Sequence, residues 1–98
     1  MSLSGKQKRF LRAEAHGLEP VVSLGKEGLS ESVLEAVRDA LSTHELIKVR
    51  VQESSPLDRK EAAETLPGLV KAELAGLIGR ILILYRRHPN KPKVPLPS

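Results

Sequence analysis

Residues 25–28, Gly-Lys-Glu-Gly, stand between a short apolar run, Val21–Leu24, and an amphipathic stretch that begins at Ser30. Two glycines at this spacing allow two things: backbone at positive φ, and close approach of a ligand to bare main chain. The helix expected after Ser30 adds free N–H groups and partial positive charge, an environment that favours phosphate. Lys26 brings a cation to the turn. Glu27 partly cancels it and would repel phosphate if turned inward. A glycine-bracketed loop of this form clamps the sugar–phosphate backbone in KH domains. By itself the spacing is a weak signal, because turns need glycine more often than ligands do.

Other chemistry has little support. His16, His44 and His88 lie far apart, with no helical partner of the kind a zinc helix needs and no adjacent nucleophile. There are no cysteines, which excludes disulfides, thiolate metal sites and thiol catalysis, and which fits a reducing cytosol. Gly-Lys-Glu-Gly is neither a Walker loop nor a dinucleotide-binding turn. The acids follow helical surfaces, as in Glu31/Glu35 and Glu61/Glu64. The expectation is a binding protein with no catalytic residues, no metal and no cofactor.

Charge placement points the same way. The chain has 98 residues and a net charge of +4. Residues 1–12 carry Lys6, Lys8, Arg9 and Arg12 without an acid, and residues 86–98 carry Arg86, Arg87, Lys91 and Lys93 without one. The middle is net acidic. Termini of small domains often lie close together, and the two clusters would then form one field that attracts polyanions. Ile81–Tyr85 is the longest uninterrupted apolar run, far short of a membrane span, and the start has no apolar signal core. A cytoplasmic monomer is expected.

These residues must be held by a scaffold, and the pattern supplies one. Ser4 and Gln7 have capping-box spacing for a helix over about 5–15, stopped by Gly17 and Pro20. Phe10 and Leu3 fall near one another on it, with Lys8, Arg9 and Arg12 on another arc. Val21–Leu24 reads as a strand. Ser30 caps the next helix, with Leu29 and Leu34 at hydrophobic-staple positions and a Val33, Val37, Leu41 stripe. Leu46–Val51 alternates strictly, placing Lys48 and Arg50 on a partly wet face. Pro56 suits the first turn of a third helix over about 57–66, which Pro67-Gly68 should break or kink. Gly79-Arg80 is a type II′ hairpin signal, and the wholly apolar Ile81–Tyr85 belongs inside the sheet. The result is a single α/β domain, order α-β-α-β-α-β-β, with three helices and a four-stranded mixed sheet over residues 1–86. Residues 87–98, with four prolines, are expected to form a basic, extended and flexible tail.

Phe10 and Tyr85 are the only aromatics, and both sit in apolar patterns that suggest burial. A sheet that reads bases by aromatic stacking is therefore not expected. Recognition of backbone and shape, through loop amides and Lys/Arg, remains.

Three linked blocks, LSGKQKRFLRAEAHGLEPVVSLGKEGLSESVLEAVRDAL, HELIKVRV and IGRILILYRR, resemble the YhbY family. These are the stand-alone bacterial CRM (chloroplast RNA splicing and ribosome maturation) domains. The resemblance spans residues 3–86. It implies an α/β fold similar to the C-terminal domain of translation initiation factor three, a GxxG loop in contact with RNA, and association with precursors of the large ribosomal subunit. The implied contact residues are Gly25, Lys26, Glu27, Gly28, Lys48, Arg50, Arg80 and Arg86. The terminal cations Lys6, Lys8, Arg9, Arg12 and Arg87 would add to the RNA-binding surface on charge alone. Ribosomal proteins are a further possible partner, and an adaptor that docks on one without touching RNA is the alternative.

Overall fold

The computed structural model describes residues 2–98. The first helix, α1 (Gly5–Ala15), begins where Ser4 and Gln7 cap each other. Ser4 Oγ accepts from the Gln7 amide at 3.1 Å, and Gln7 Oε1 accepts from the Ser4 amide at 3.0 Å. After β1 (Val22–Leu24), Ser30 caps α2 (Glu31–His44) by accepting from Val33 N–H. Leu29 then packs on the same core as Leu34, as a hydrophobic staple requires. β2 (Leu46–Val51) has the expected bounds.

The third helix differs from its expected span. α3 runs Arg59–Leu69, because Asp58 with Glu61 makes a second capping box that outcompetes the proline start at Pro56. Nor does Pro67-Gly68 end it. Pro67 lies in the last turn, where its absent N–H forfeits only one intrahelical bond, and its ring is buried. The helix closes instead by a left-handed cap at Lys71 (φ 55), with Ala72 N–H donating to Pro67 O at 2.9 Å and Lys71 N–H to Gly68 O at 3.5 Å. Those are the two bonds of a Schellman closure, with lysine where glycine is usual.

β3 (Glu73–Ile78) and β4 (Ile81–Tyr85) form the expected hairpin, and Gly79 (φ 57) takes the left-handed first position of its turn. The sheet order is β1-β2-β4-β3, with β1 parallel to β2 and the other pairs antiparallel. β4 is thus internal, which explains its unbroken apolar sequence. Ile47, Val49, Val51, Leu82 and Leu84 face α2 and α3 in the main core. Leu46, Ala75, Ile83 and Tyr85 face Leu11 and Ala15 of α1 on the other side. Three layers result, and α1 leaves part of its sheet face uncovered.

The end of the sheet farthest from residues 25–28 is tied by two charged residues. Arg86 donates to Val70 O (3.0 Å), Arg38 O (3.1 Å) and Ser42 Oγ (2.8 Å), so one guanidinium joins the C-terminal parts of α2 and α3. Glu45, 1% exposed, ends α2 at φ 67. Its carboxylate accepts from the backbone N–H groups of His88 (2.7 Å), Lys93 (3.0 Å) and Val94 (2.7 Å). Residues 87–98 contain no helix or strand, yet Val94 and Leu96 lie on the α1 cluster and Pro97 O accepts from Gln7 Nε2. Composition offered this segment no docking partner, and Glu45 is one. Beside it, burial pushes the Tyr85 hydroxyl above its usual pKa, the Glu45 carboxylate adds to the shift, and Arg87 offsets part of it.

Candidate nucleic-acid interface

The 25–28 turn is closed by Gly28 N–H donating to Gly25 O at 2.9 Å, with Lys26 and Glu27 exposed at its apex. The two glycines do different jobs. Gly28 is buried at φ 62, and a Cβ there would come within 3.0 Å of Pro56. The fold itself demands it. Gly25 has no positive φ, and an added Cβ would meet only the ends of side chains, Gln52 Oε1 at 3.3 Å and Ser54 Oγ at 3.8 Å. Its glycine is left free to serve access to the backbone.

The strands bring other expected residues to this end. Gln52 N–H donates to Leu24 O and Val51 N–H to Arg80 O, so the loop after β1, the end of β2 and the β3–β4 turn are neighbours. The N-termini of α2 and α3 also point here. Their electrostatics differ, since Asp58 and Glu61 already occupy the α3 terminus. At α2 the cap takes Val33 N–H, and the Glu31 side chain is exposed. Arg80 is 3.8 Å from Glu53 in an exposed pair, which leaves its charge largely available. The loop end is therefore mixed in sign.

A more uniformly basic area lies beside it, on the sheet face that α1 leaves open. Arg50 is exposed and pairs in register with Ile81, as Lys48 does with Ile83. Lys48 Nζ lies 3.4 Å from His16 O, and Arg12 crosses β3 to donate to Ala75 O at 3.0 Å. Arg12 can lie there because a shift of register between Leu74 and Gly76 leaves Gly76 as well as Ala75 on the α1 face, and because residue 76 lacks a side chain. A Cβ on Gly76 would sit 2.7 Å from Arg12 Cδ. Gly76→Ala is thus expected to eject the Arg12 side chain and cost about 1 kcal/mol of stability, from the lost charged hydrogen bond and the lost cover over β3. A denaturation curve matching that of Arg12→Ala, and no further loss in the double variant, would confirm that the two act together.

The expected contact residues therefore fall in separate places. Gly25–Gly28 and Arg80 meet at the loop end, with Arg50, Lys48 and Arg12 along the adjacent sheet face. Lys6, Lys8 and Arg9 are exposed on α1. Arg86 is committed inward at the opposite end, and Arg87 lies near Tyr85. The α1 start and the C-terminal segment do meet, through Gln7 and Pro97, so the basic termini are neighbours. Sequence reasoning missed Gly76 as the seat for Arg12; a glycine within a strand was the available signal. Among the described residues no group of His, Cys, Asp and Glu could hold a metal, and no helix is long and apolar enough to cross a membrane.

Known proteins resemble this chain over nearly its whole length. The chain is 37% identical over 95 residues to a Bacillus subtilis protein named "Probable RNA-binding protein YqeI", covering 97% of this chain and 99% of that one. It is 43% identical over 96 residues to a Haemophilus influenzae protein named "RNA-binding protein", covering 98% and 96%. The solution structure of the hypothetical protein SAV1595 from Staphylococcus aureus superposes with a TM-score of 0.82 at 40% identity, covering 97% of this chain and 99% of that one. Residues 3–86 match the CRS1/YhbY (CRM) domain. The chain belongs to the CRS1/YhbY (CRM) domain family.

Proposed function

We propose that this protein binds RNA without catalysing a reaction on it, and that its ligand is ribosomal RNA in precursors of the large subunit, whose assembly it assists. The observation that carries the reading is the exposed Lys26 turn beside the α2 N-terminus and Arg80 at one end of the sheet, continued by Arg50 and Lys48 along the adjacent sheet face. Its relatives named as RNA-binding proteins support the same ligand class. The ribosomal target rests on the family resemblance, and the cell compartment that goes with it is the cytoplasm. Contacts are to phosphate and sugar. They fix register on the RNA and carry no base information directly.

The test separates a phosphate cradle from a turn that only changes chain direction. Lys26→Ala, at an exposed position, is expected to fold normally, weaken RNA binding severalfold, and flatten the log-affinity against log-salt slope by up to about one contact. Gly25→Ala should melt near the parent temperature yet bind RNA less well. Gly28→Asp cannot discriminate, because its positive φ makes any side chain destabilising. Glu27→Gln should leave affinity equal or raise it. Unchanged affinity and slope for well-folded Lys26→Ala and Gly25→Ala would reduce the loop to a turn. Salt also distinguishes an adaptor that docks on a ribosomal protein, since an apolar interface would not weaken steeply as salt rises.

A further inference from the structure

Beside the proposed phosphate track the sheet face carries a recess of about 230 Å³, lined by Ile78, Ile81 and Ile83 with Arg12, His16 and Lys48. Its isoleucines make an apolar floor on a face that is otherwise basic. Ile78 is 58% exposed, an unusual cost for so large an apolar side chain at a strand end. The rim is built rather than incidental. Arg12 is fixed to Ala75 O and seated by Gly76, while Lys48 reaches the His16 carbonyl. No acid lines the recess.

We propose that this recess receives one unstacked base of single-stranded RNA, with the base on the isoleucines and against Arg12 while Lys48 and Arg50 hold the flanking phosphates. The proposal rests on the RNA-binding reading and extends it from backbone contact to a base. Charge complementarity selects this occupant. An apolar floor alone would suit many ligands, but an acid-free rim with two cations held in place suits a flat, apolar group attached to an anion. Splayed bases stack on guanidinium planes as well as on aromatic rings, so the lack of an exposed aromatic residue does not exclude base recognition here. Only an unpaired base can enter, because a base within a duplex keeps its faces covered.

The experiment compares the parent protein, Ile78→Thr and Lys26→Ala. Each is measured by fluorescence anisotropy against a labelled single-stranded oligouridylate and against an abasic strand of equal length. Ile78 is exposed and threonine suits a strand, so the fold should survive, and a melting curve verifies that. Ile78→Thr should weaken binding to oligouridylate about five- to tenfold, leave the abasic strand unaffected, and keep the salt slope. Lys26→Ala should weaken both ligands and flatten the slope. If only Lys26→Ala weakens binding, the base recess is refuted while the RNA reading stands. If neither does, the base recess is refuted and the loop is only a turn, and if the parent protein itself binds neither strand, the RNA reading falls too. Independently, a 4-thiouridine oligomer should crosslink within residues 76–83, and adducts confined to other segments would overturn the assignment.

Discussion

Glu45→Ala is expected to lower stability by about 2–4 kcal/mol, the largest effect of any single substitution considered, or roughly 10–20 °C in melting temperature for a domain of this size. The carboxylate is buried and accepts three backbone N–H groups. Alanine leaves those donors without a partner unless residues 87–98 lift away into water. The release limits the loss to less than three full desolvation penalties, and it is itself observable. Amide protection at His88, Lys93 and Val94 should vanish together, while protection in β2 and β4 persists until global unfolding. Glu45→Gln should lie between, because the amide keeps one accepting oxygen and turns a donor toward N–H groups. A melting temperature unchanged in Glu45→Ala would mean that the C-terminal segment contributes nothing to the fold.

The second large effect concerns binding. The triple variant Lys48→Ala, Arg50→Ala, Arg80→Ala should lose roughly hundredfold in RNA affinity near 0.1 M salt and reduce the log–log salt slope by about two, as for three single-strand phosphate contacts. All sequences should be weakened alike, because these contacts carry no base information. The fold should tolerate it. Arg50 and Arg80 are exposed, and Lys48 gives up only a long bond to His16 O. Affinity retained with altered sequence preference would contradict a backbone-directed surface. The same three substitutions in the free protein should shift the melting temperature by no more than a few degrees.

Most of the scaffold was legible because its signals are local. Ser4 with Gln7, Ser30 with Leu29 and Leu34, and the alternation of Leu46–Val51 each specify an element within a few residues. Gly79 set the hairpin and the apolar β4 announced its internal place. α3 was misplaced at both ends where two local rules competed. Asp58 with Glu61 satisfied more N–H groups than a proline start, and a left-handed Lys71 let the helix close after Pro67 instead of breaking there.

The site was legible as a set of residues and not as an arrangement. Gly25 and Gly28 look alike in sequence, and only the φ of Gly28 and its contact with Pro56 separate structural need from access. Arg86 and Arg80 are both arginines flanking β4, yet one faces three internal acceptors and the other the loop end. Nothing local marks Glu45 in the sequence, because its partners are backbone amides more than 40 positions away, which no periodicity encodes.

Whether the loop end and the adjacent sheet face hold RNA is decided by ultraviolet crosslinking in growing cells, followed by identification of both the RNA and the crosslinked peptides. Large-subunit ribosomal RNA is expected to be joined to peptides containing residues 22–30, 46–52 or 76–83, with adducts diminished in the Lys48, Arg50, Arg80 triple variant. Recovery of no RNA from a well-folded, normally expressed protein would contradict it, as would crosslinks confined to the outer surfaces of α2 and α3.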